Sequence, residues 1–192
     1  MPVAKKDSEQ YTYSDFITWR DDVRYELIEG QVQSTALVPS VTHQMLVAEI
    51  YRCLANQLDR SRYRALIGPI DLRLPRRAED PDEQIDTVVR PDVVVLSNPA
   101  QLGPRGVRGA PDWVLEVISP ATAGHDQVTK RRVYERAGVH EFWLVHPADR
   151  ILTAYTLNAE GRYDRPHVQL LQGSTELAGL MGVRIDWDTV AA

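Results

Sequence analysis

Cysteine is almost absent from this 192-residue chain, Cys53 being the only one. A lone thiol forms neither an internal disulfide nor a zinc cluster. In its helix-like stretch it reads as a packed, inert thiol. Long hydrophobic runs are missing too, and none approaches the roughly 20 residues of a membrane span. Residues 1–10 lack the apolar centre of a secretory signal. Positive charge is in deficit, with 22 Lys and Arg against 27 Asp and Glu and a formal net charge of −5. That deficit weighs against a protein that grips phosphates, because non-specific affinity for nucleic acid comes largely from Lys and Arg. A carboxylate metal site would add negative charge of its own, which bound cations offset. These absences favour the cytoplasm. A core is not lacking: 43% hydrophobic and 26% charged residues fit a folded globular protein, and the length suits one well-buried core.

The basic residues that exist are clustered, as Arg73, Arg76 and Arg77, as Arg105 and Arg108, and as Lys130, Arg131 and Arg132. Each cluster reads either as a solvated face or as a phosphate contact. Along the chain, residues 1–12 read as a flexible tail and residues 13–192 as one domain. Ser14 is placed to cap a short helix running to Arg20. Residues 25–28 and 31–35 predict a hairpin turning at Glu29-Gly30. Residues 39–42 open a helix in which Leu46, Val47, Ile50, Leu54 and Leu58 form one apolar stripe. Strands are predicted at 63–67 and 70–74, then a charged loop at 75–87. Continuous apolar runs at Val93–Leu96 and Trp113–Ile118 are typical of strands covered on both faces. Between them, residues 98–111 read as a long loop. A helix is predicted over His125–Ala137 and ended by Gly138, then strands at 141–145 and 151–157 joined through Pro147-Ala148-Asp149, then short strands and turns over 162–187. The order gives a mixed α/β (α+β) domain, a central sheet with helices packed on it.

Two acids stand out in this pattern. Side chains alternate faces along a strand, so Asp92 shares a face with Val94 and Leu96, and Glu116 shares one with Val114 and Ile118. An ionised carboxylate left unpaired on such a face costs several kcal/mol or more. Each acid therefore meets a cationic side chain, or both meet a metal ion. Two carboxylates on neighbouring strands repel unless a cation lies between them. If the segment after Ser119-Pro120 is an α-helix, Asp126, Lys130 and Tyr134 share one face at i, i+4 and i+8. Lys130 then either pairs with Asp126 or points back toward Glu116. Tyr134 reads more readily as core than as a catalytic group.

These residues fall into an ordered pattern. Its parts are Tyr25-Glu26-Leu27-Ile28-Glu29-Gly30, then Pro39 followed by His43, then Arg90-Pro91-Asp92-Val93-Val94-Val95. Next come Gly109-Ala110-Pro111-Asp112-Trp113-Val114-Leu115-Glu116-Val117-Ile118-Ser119-Pro120, and last Lys130 to Val139 with Glu141-Phe142-Trp143. The pattern resembles the PD-(D/E)XK nuclease superfamily, and within it a bacterial restriction-endonuclease family formerly labelled a domain of unknown function.

The resemblance implies a restriction-endonuclease-like fold, a central mixed sheet flanked by helices. It implies a metal-dependent endonuclease acting on nucleic acid, DNA by preference. Asp92 and Glu116 would be metal ligands for Mg²⁺ or Mn²⁺, and Lys130 would be the catalytic lysine. Glu26 would complete the catalytic set, by binding a second ion or orienting the ligands, unless it simply pairs with Arg24 or Arg73. His43 and Tyr134 would contact substrate or support the ligands. Many such nucleases are homodimers that reach both strands. The superfamily lysine stands two residues after the second acid, where this chain has Ile118, so Lys130 on the following helix is its stand-in. The family's Val-Asp-Pro is here Val145-His146-Pro147, and His146 reads as a turn or surface histidine. A catalytically inactive nucleic-acid-binding or interaction module on the same fold is the rival expectation.

Overall fold

The structure is a computed structural model that describes residues 10–19, 25–34, 39–120 and 122–190. Its centre is the sheet that the apolar runs foretell. In spatial order the strands are β12 (His167–Leu170), β11 (Ile151–Thr156), β10 (Glu141–His146), β9 (Trp113–Val117), β6 (Val93–Leu96) and β3 (Arg64–Ile67). Every residue of β6 and β9 is buried. The pair β9–β10 is parallel and the other pairs are antiparallel, so the sheet is mixed. Parallel neighbours cannot be joined by a hairpin. The connection between β9 and β10 is therefore a crossover, and it carries the helical segment with Lys130.

A second sheet has the order β2 (Gln31–Ser34), β1 (Tyr25–Ile28), β5 (Val88–Val89), β4 (Leu72–Arg73), β8 (Gly106–Arg108) and β7 (Leu102–Gly103). Strands β13 (Ser174–Glu176) and β14 (Arg184–Asp186) form a small antiparallel pair. The helices are α1 (Tyr13–Phe16), α2 (Val41–Gln57), α3 (Arg131–Ala137) and α4 (Trp187–Val190). Residues His125–Lys130, immediately before α3, form a π-helix.

Alternation along β6 and β9 divides the interior in two. Val93, Val95, Trp113, Leu115 and Val117 pack with Ile50 and Leu54 of α2 and with Trp187. Val94, Leu96, Val114 and Ile118 pack on the opposite side with Val133 and Tyr134 of α3 and with Ile28, Leu72 and Val89 of the second sheet. Burying a side chain of this size stabilises the fold by roughly 1.5–3 kcal/mol.

Several boundaries differ from expectation. Helix α1 starts two residues early, and the Thr12 N–H donates to Asp15 Oδ2 at 2.8 Å, so Thr12 rather than Ser14 stands at its cap. Arg20, Arg24 and Thr35 lie outside the described residues, as does most of the expected tail. At the tail's end, the Tyr11 N–H donates to the Gly30 carbonyl at 2.9 Å. The strand expected over 70–74 shrinks to Leu72–Arg73, and the loop at 98–111 contains the hairpin β7–β8. The expected α-helix over 125–137 is π-helical in its first six residues, with the Arg131 N–H donating to the Asp126 carbonyl, five residues back. Gly138 ends it in the left-handed region at φ 86°, where glycine meets no Cβ penalty. Cys53 is only partly buried, its Sγ 3.6 Å from the Arg184 carbonyl oxygen.

Candidate active site

Both acids stand where β6 and β9 run side by side. Val93 lies opposite Leu115, Asp92 directly precedes β6, and Glu116 is in β9. The approach is tight. A Cβ on Gly68 would lie 2.5 Å from the Pro91 carbonyl oxygen, and the Gly68 N–H donates to the Asp92 carbonyl at 2.7 Å. Glycine at 68 thus lets the end of β3 close over the Asp92 backbone. Asp92 Oδ2 accepts the Val117 N–H at 2.8 Å and lies 3.1 Å from His43 Nε2. His43 is in the first turn of α2, where the Ser40 hydroxyl caps its N–H at 3.1 Å.

Glu116 meets Lys130. The Nζ donates to Glu116 Oε1 at 2.9 Å and lies 2.9 Å from Glu26 Oε1 and 3.5 Å from Asp126 Oδ1. Glu26 arrives from β1, pointing the same way as Ile28, two residues on. It also accepts the Arg90 N–H at 2.7 Å and pairs through Oε2 with His125 Nε2 at 2.8 Å. The Tyr134 hydroxyl donates to Glu116 Oε1 at 2.7 Å. Glu26, Glu116, Asp126 and Lys130 are all 4% exposed or less, so these contacts are little screened by bulk solvent. A cavity of about 350 Å³ opens beside them, with Asp92, Glu116, Glu26, Lys130, His43 and His125 in its wall.

The electrostatics follow from one ammonium among four carboxylates. Burial works against ionised Glu26, but Lys130, His125 and the Arg90 N–H outweigh it and hold its pKa at about 2. Burial pushes Glu116 up, and the charges of Asp126, Asp92 and Glu26 add to that push against Lys130. Asp126 is raised by the same cause, burial, against Lys130. Lys130 stays a cation: burial would lower it, but Glu116, Glu26 and Asp126 raise it well above the usual lysine value. Burial also lowers His43, yet the Asp92 hydrogen bond and charge win and raise it. Such a site has an excess of negative charge and calls for a cation.

All six residues singled out from the sequence therefore come together: Asp92, Glu116, Lys130 and Glu26, with His43 on Asp92 and Tyr134 on Glu116. Tyr134 is both fully buried core and a hydrogen-bond donor to the site. The alternatives weighed for Lys130 are both present, since it touches Asp126 and Glu116. Arg73 pairs with Asp82 at 3.1 Å instead of Glu26, and Arg24 lies outside the described residues. His125 escaped the sequence reading. It is one residue off the face that a 3.6-residue period assigns to Asp126, Lys130 and Tyr134.

Asp92 and Glu116 suit a hard cation. Asp92 Oδ1 and Glu116 Oε2 make no hydrogen bond among the described residues. No group of three or more His, Cys, Asp or Glu side chains among those residues is arranged to hold a metal by itself. Two carboxylate oxygens with the remaining positions left to water and phosphate are what Mg²⁺ commonly takes. Glu26 fits an ion poorly, because Lys130, His125 and the Arg90 N–H occupy its oxygens.

The mixed sheet, with the buried carboxylate–lysine cluster on its central strand β9, is that of a restriction-endonuclease-like fold. The family model of Uma2, described as "Putative restriction endonuclease", matches residues 12–190. The chain belongs to this family, which supports a nuclease function in general terms. Among solved structures, it is similar to "a putative nuclease belonging to DUF820" from Anabaena variabilis ATCC 29413. That match has 16% identity and a TM-score of 0.73, covering 94% of this chain and 97% of the other. At that identity the likeness speaks to the fold. No curated protein matches in sequence. No helix of the described residues is long and apolar enough to cross a membrane.

Proposed function

We propose that this protein is a divalent-metal-dependent endonuclease that hydrolyses phosphodiester bonds of DNA. The observation that carries this reading is the meeting of Asp92 and Glu116 in one cavity, with Lys130 bonded to Glu116. Asp92 and Glu116 would hold Mg²⁺ or Mn²⁺. The bound ion would polarise the scissile phosphate and lower the pKa of a water. Asp92 is oriented for this by the Val117 N–H and His43, and Glu116 by Lys130 and Tyr134. Glu26 and Asp126 anchor Lys130, whose charge would stabilise the negative charge that builds on phosphate. A homodimer would supply the second site that double-strand cleavage needs.

Nicking of supercoiled plasmid in Mg²⁺ or Mn²⁺ tests the reading, with single-stranded DNA and RNA as parallel substrates. The wild type nicks the plasmid, chelator abolishes nicking, and Asp92→Ala and Glu116→Gln each lower the rate by at least about 100-fold. Nicking that survives Asp92→Ala would sink the assigned site. Cleavage of RNA in preference to DNA would overturn the substrate.

A further inference from the structure

The Lys130 ammonium is committed to carboxylates. An ammonium carries three N–H groups, and three carboxylate oxygens lie within 3.5 Å of this one. Because it is buried and kept charged, it takes up no proton either. Lys130 therefore holds charge in place and does not accept a proton from the nucleophile, while Glu116 and Asp126 are engaged with Lys130. Of the two cavity histidines, His43 is bonded to Asp92, a proposed ion ligand. His125 is bonded only to Glu26.

We propose that His125, held by Glu26, is the proton acceptor for the attacking water in this site. The proposal rests on the nuclease reading and adds a catalytic residue to it. Its basis is the geometry of the π-helix. In an α-helix, residues five apart stand about 140° apart around the axis, so His125 and Lys130 would face different ways. A π turn closes its hydrogen bond at i+5 and brings such residues back over one another. Here His125 Nε2 reaches Glu26 Oε2 at 2.8 Å while Lys130 reaches Glu26 Oε1 at 2.9 Å. A π-helix is rare and is found most often at functional sites.

The pairing also sets the tautomer. Glu26 is ionised, so the neutral ring donates its Nε2–H to that carboxylate and leaves Nδ1 as an acceptor. Nδ1 has no hydrogen-bond partner among the described residues, and the side chain is 22% exposed in the cavity wall. The charged and titratable groups that share the cavity wall with His125 are Glu26 from β1, Asp126 and Lys130 from its own helix, Glu116 from β9, Arg90 and Asp92 before β6, and His43 from α2. In the step itself, one water proton passes to Nδ1 as the water oxygen bonds to phosphorus. The bond from phosphorus to the leaving sugar oxygen breaks, and a solvent water protonates that oxygen. The imidazolium then returns its proton to solvent, and its charge in the meantime is balanced by Glu26.

The test is single-turnover plasmid nicking from pH 5 to 9 for the wild type, His125→Ala and His125→Gln, beside calorimetric titration of each with Mn²⁺. The wild-type rate rises with pH. Both variants fall by about 100-fold, within the usual contribution of a general base. They lose that rising limb and keep Mn²⁺ affinity within about threefold of wild type. Added imidazole restores His125→Ala by tenfold or more, which a variant that had merely misfolded would not show. Variant rates within threefold of wild type, an unchanged pH profile, or no imidazole rescue in a folded His125→Ala overturn the proposal alone. A wild type that binds Mn²⁺ yet cleaves neither DNA nor RNA overturns the nuclease reading itself.

Discussion

Glu26 is a buried acid that the fold keeps ionised, and its effect on stability can be measured. Its pKa is about 2 in the folded chain against an ordinary 4.5, a difference of about 3 kcal/mol. A carboxylate lowered by folding stabilises the fold fully above its unfolded value. The contribution is then lost as pH falls from 4.5 toward 2. Glu116 and Asp126 are raised and have the opposite sign, since they cost stability when ionised and that cost eases as pH falls. Urea unfolding across this acid range should show wild-type stability dropping by up to about 3 kcal/mol more than that of Glu26→Gln. Parallel curves for the two proteins would mean that Glu26 is not the ionised partner of Lys130. At this scale Asp92 and Glu116 were legible because an acid on an apolar strand face is expensive. Lys130 was legible by its spacing from Asp126 and Tyr134 and by the family resemblance. Which of the competing pairs each residue makes was not written in the sequence.

The elements position these residues through their ends. Helix α2 presents His43 from its first turn, and the Ser40 hydroxyl accepts the His43 N–H. Removing such a cap costs about 1 kcal/mol, so Ser40→Ala should lower the melting temperature by about 2–4 °C in a chain of this length. Calorimetry checks this, and an unchanged melting temperature would mean that water replaces the cap at no cost. The apolar stripe of α2 and the covered strands β6 and β9 followed directly from hydrophobic period. The π-helix did not, because a hydrophobic pattern cannot distinguish i+4 from i+5 hydrogen bonding over a single turn. That turn is selected by its packing between β9 and β1, where Lys130 and His125 both reach Glu26. The short strands β7 and β8 were hidden by proline and glycine in their loop, and pairing with neighbours defines them.

For the whole molecule, several arginines, some from the sequence clusters, are held by carboxylates of the protein itself. Arg73 pairs with Asp82, Arg76 with Asp86, Arg90 with Asp71, and Arg132 and Arg136 with Glu29. These pairs and the net charge of −5 both work against the release of counterions from phosphates. Binding to a DNA duplex in Ca²⁺ should therefore weaken by less than 1,000-fold between 50 and 200 mM salt, below the roughly 10³–10⁵ lost with six to ten phosphate contacts. Fluorescence anisotropy across that range measures it, and a steeper loss would reveal a basic surface that the ion pairs conceal. The sequence by itself determined the central strands, the amphipathic helix and the two suspect acids, because burial imposes local period and penalises stray charge. Only the tertiary structure decided that Glu26, 99 residues before His125 in the chain, closes on Lys130, and that a π turn adds His125. Those contacts depend on register and crossover geometry between distant segments, which no local pattern encodes.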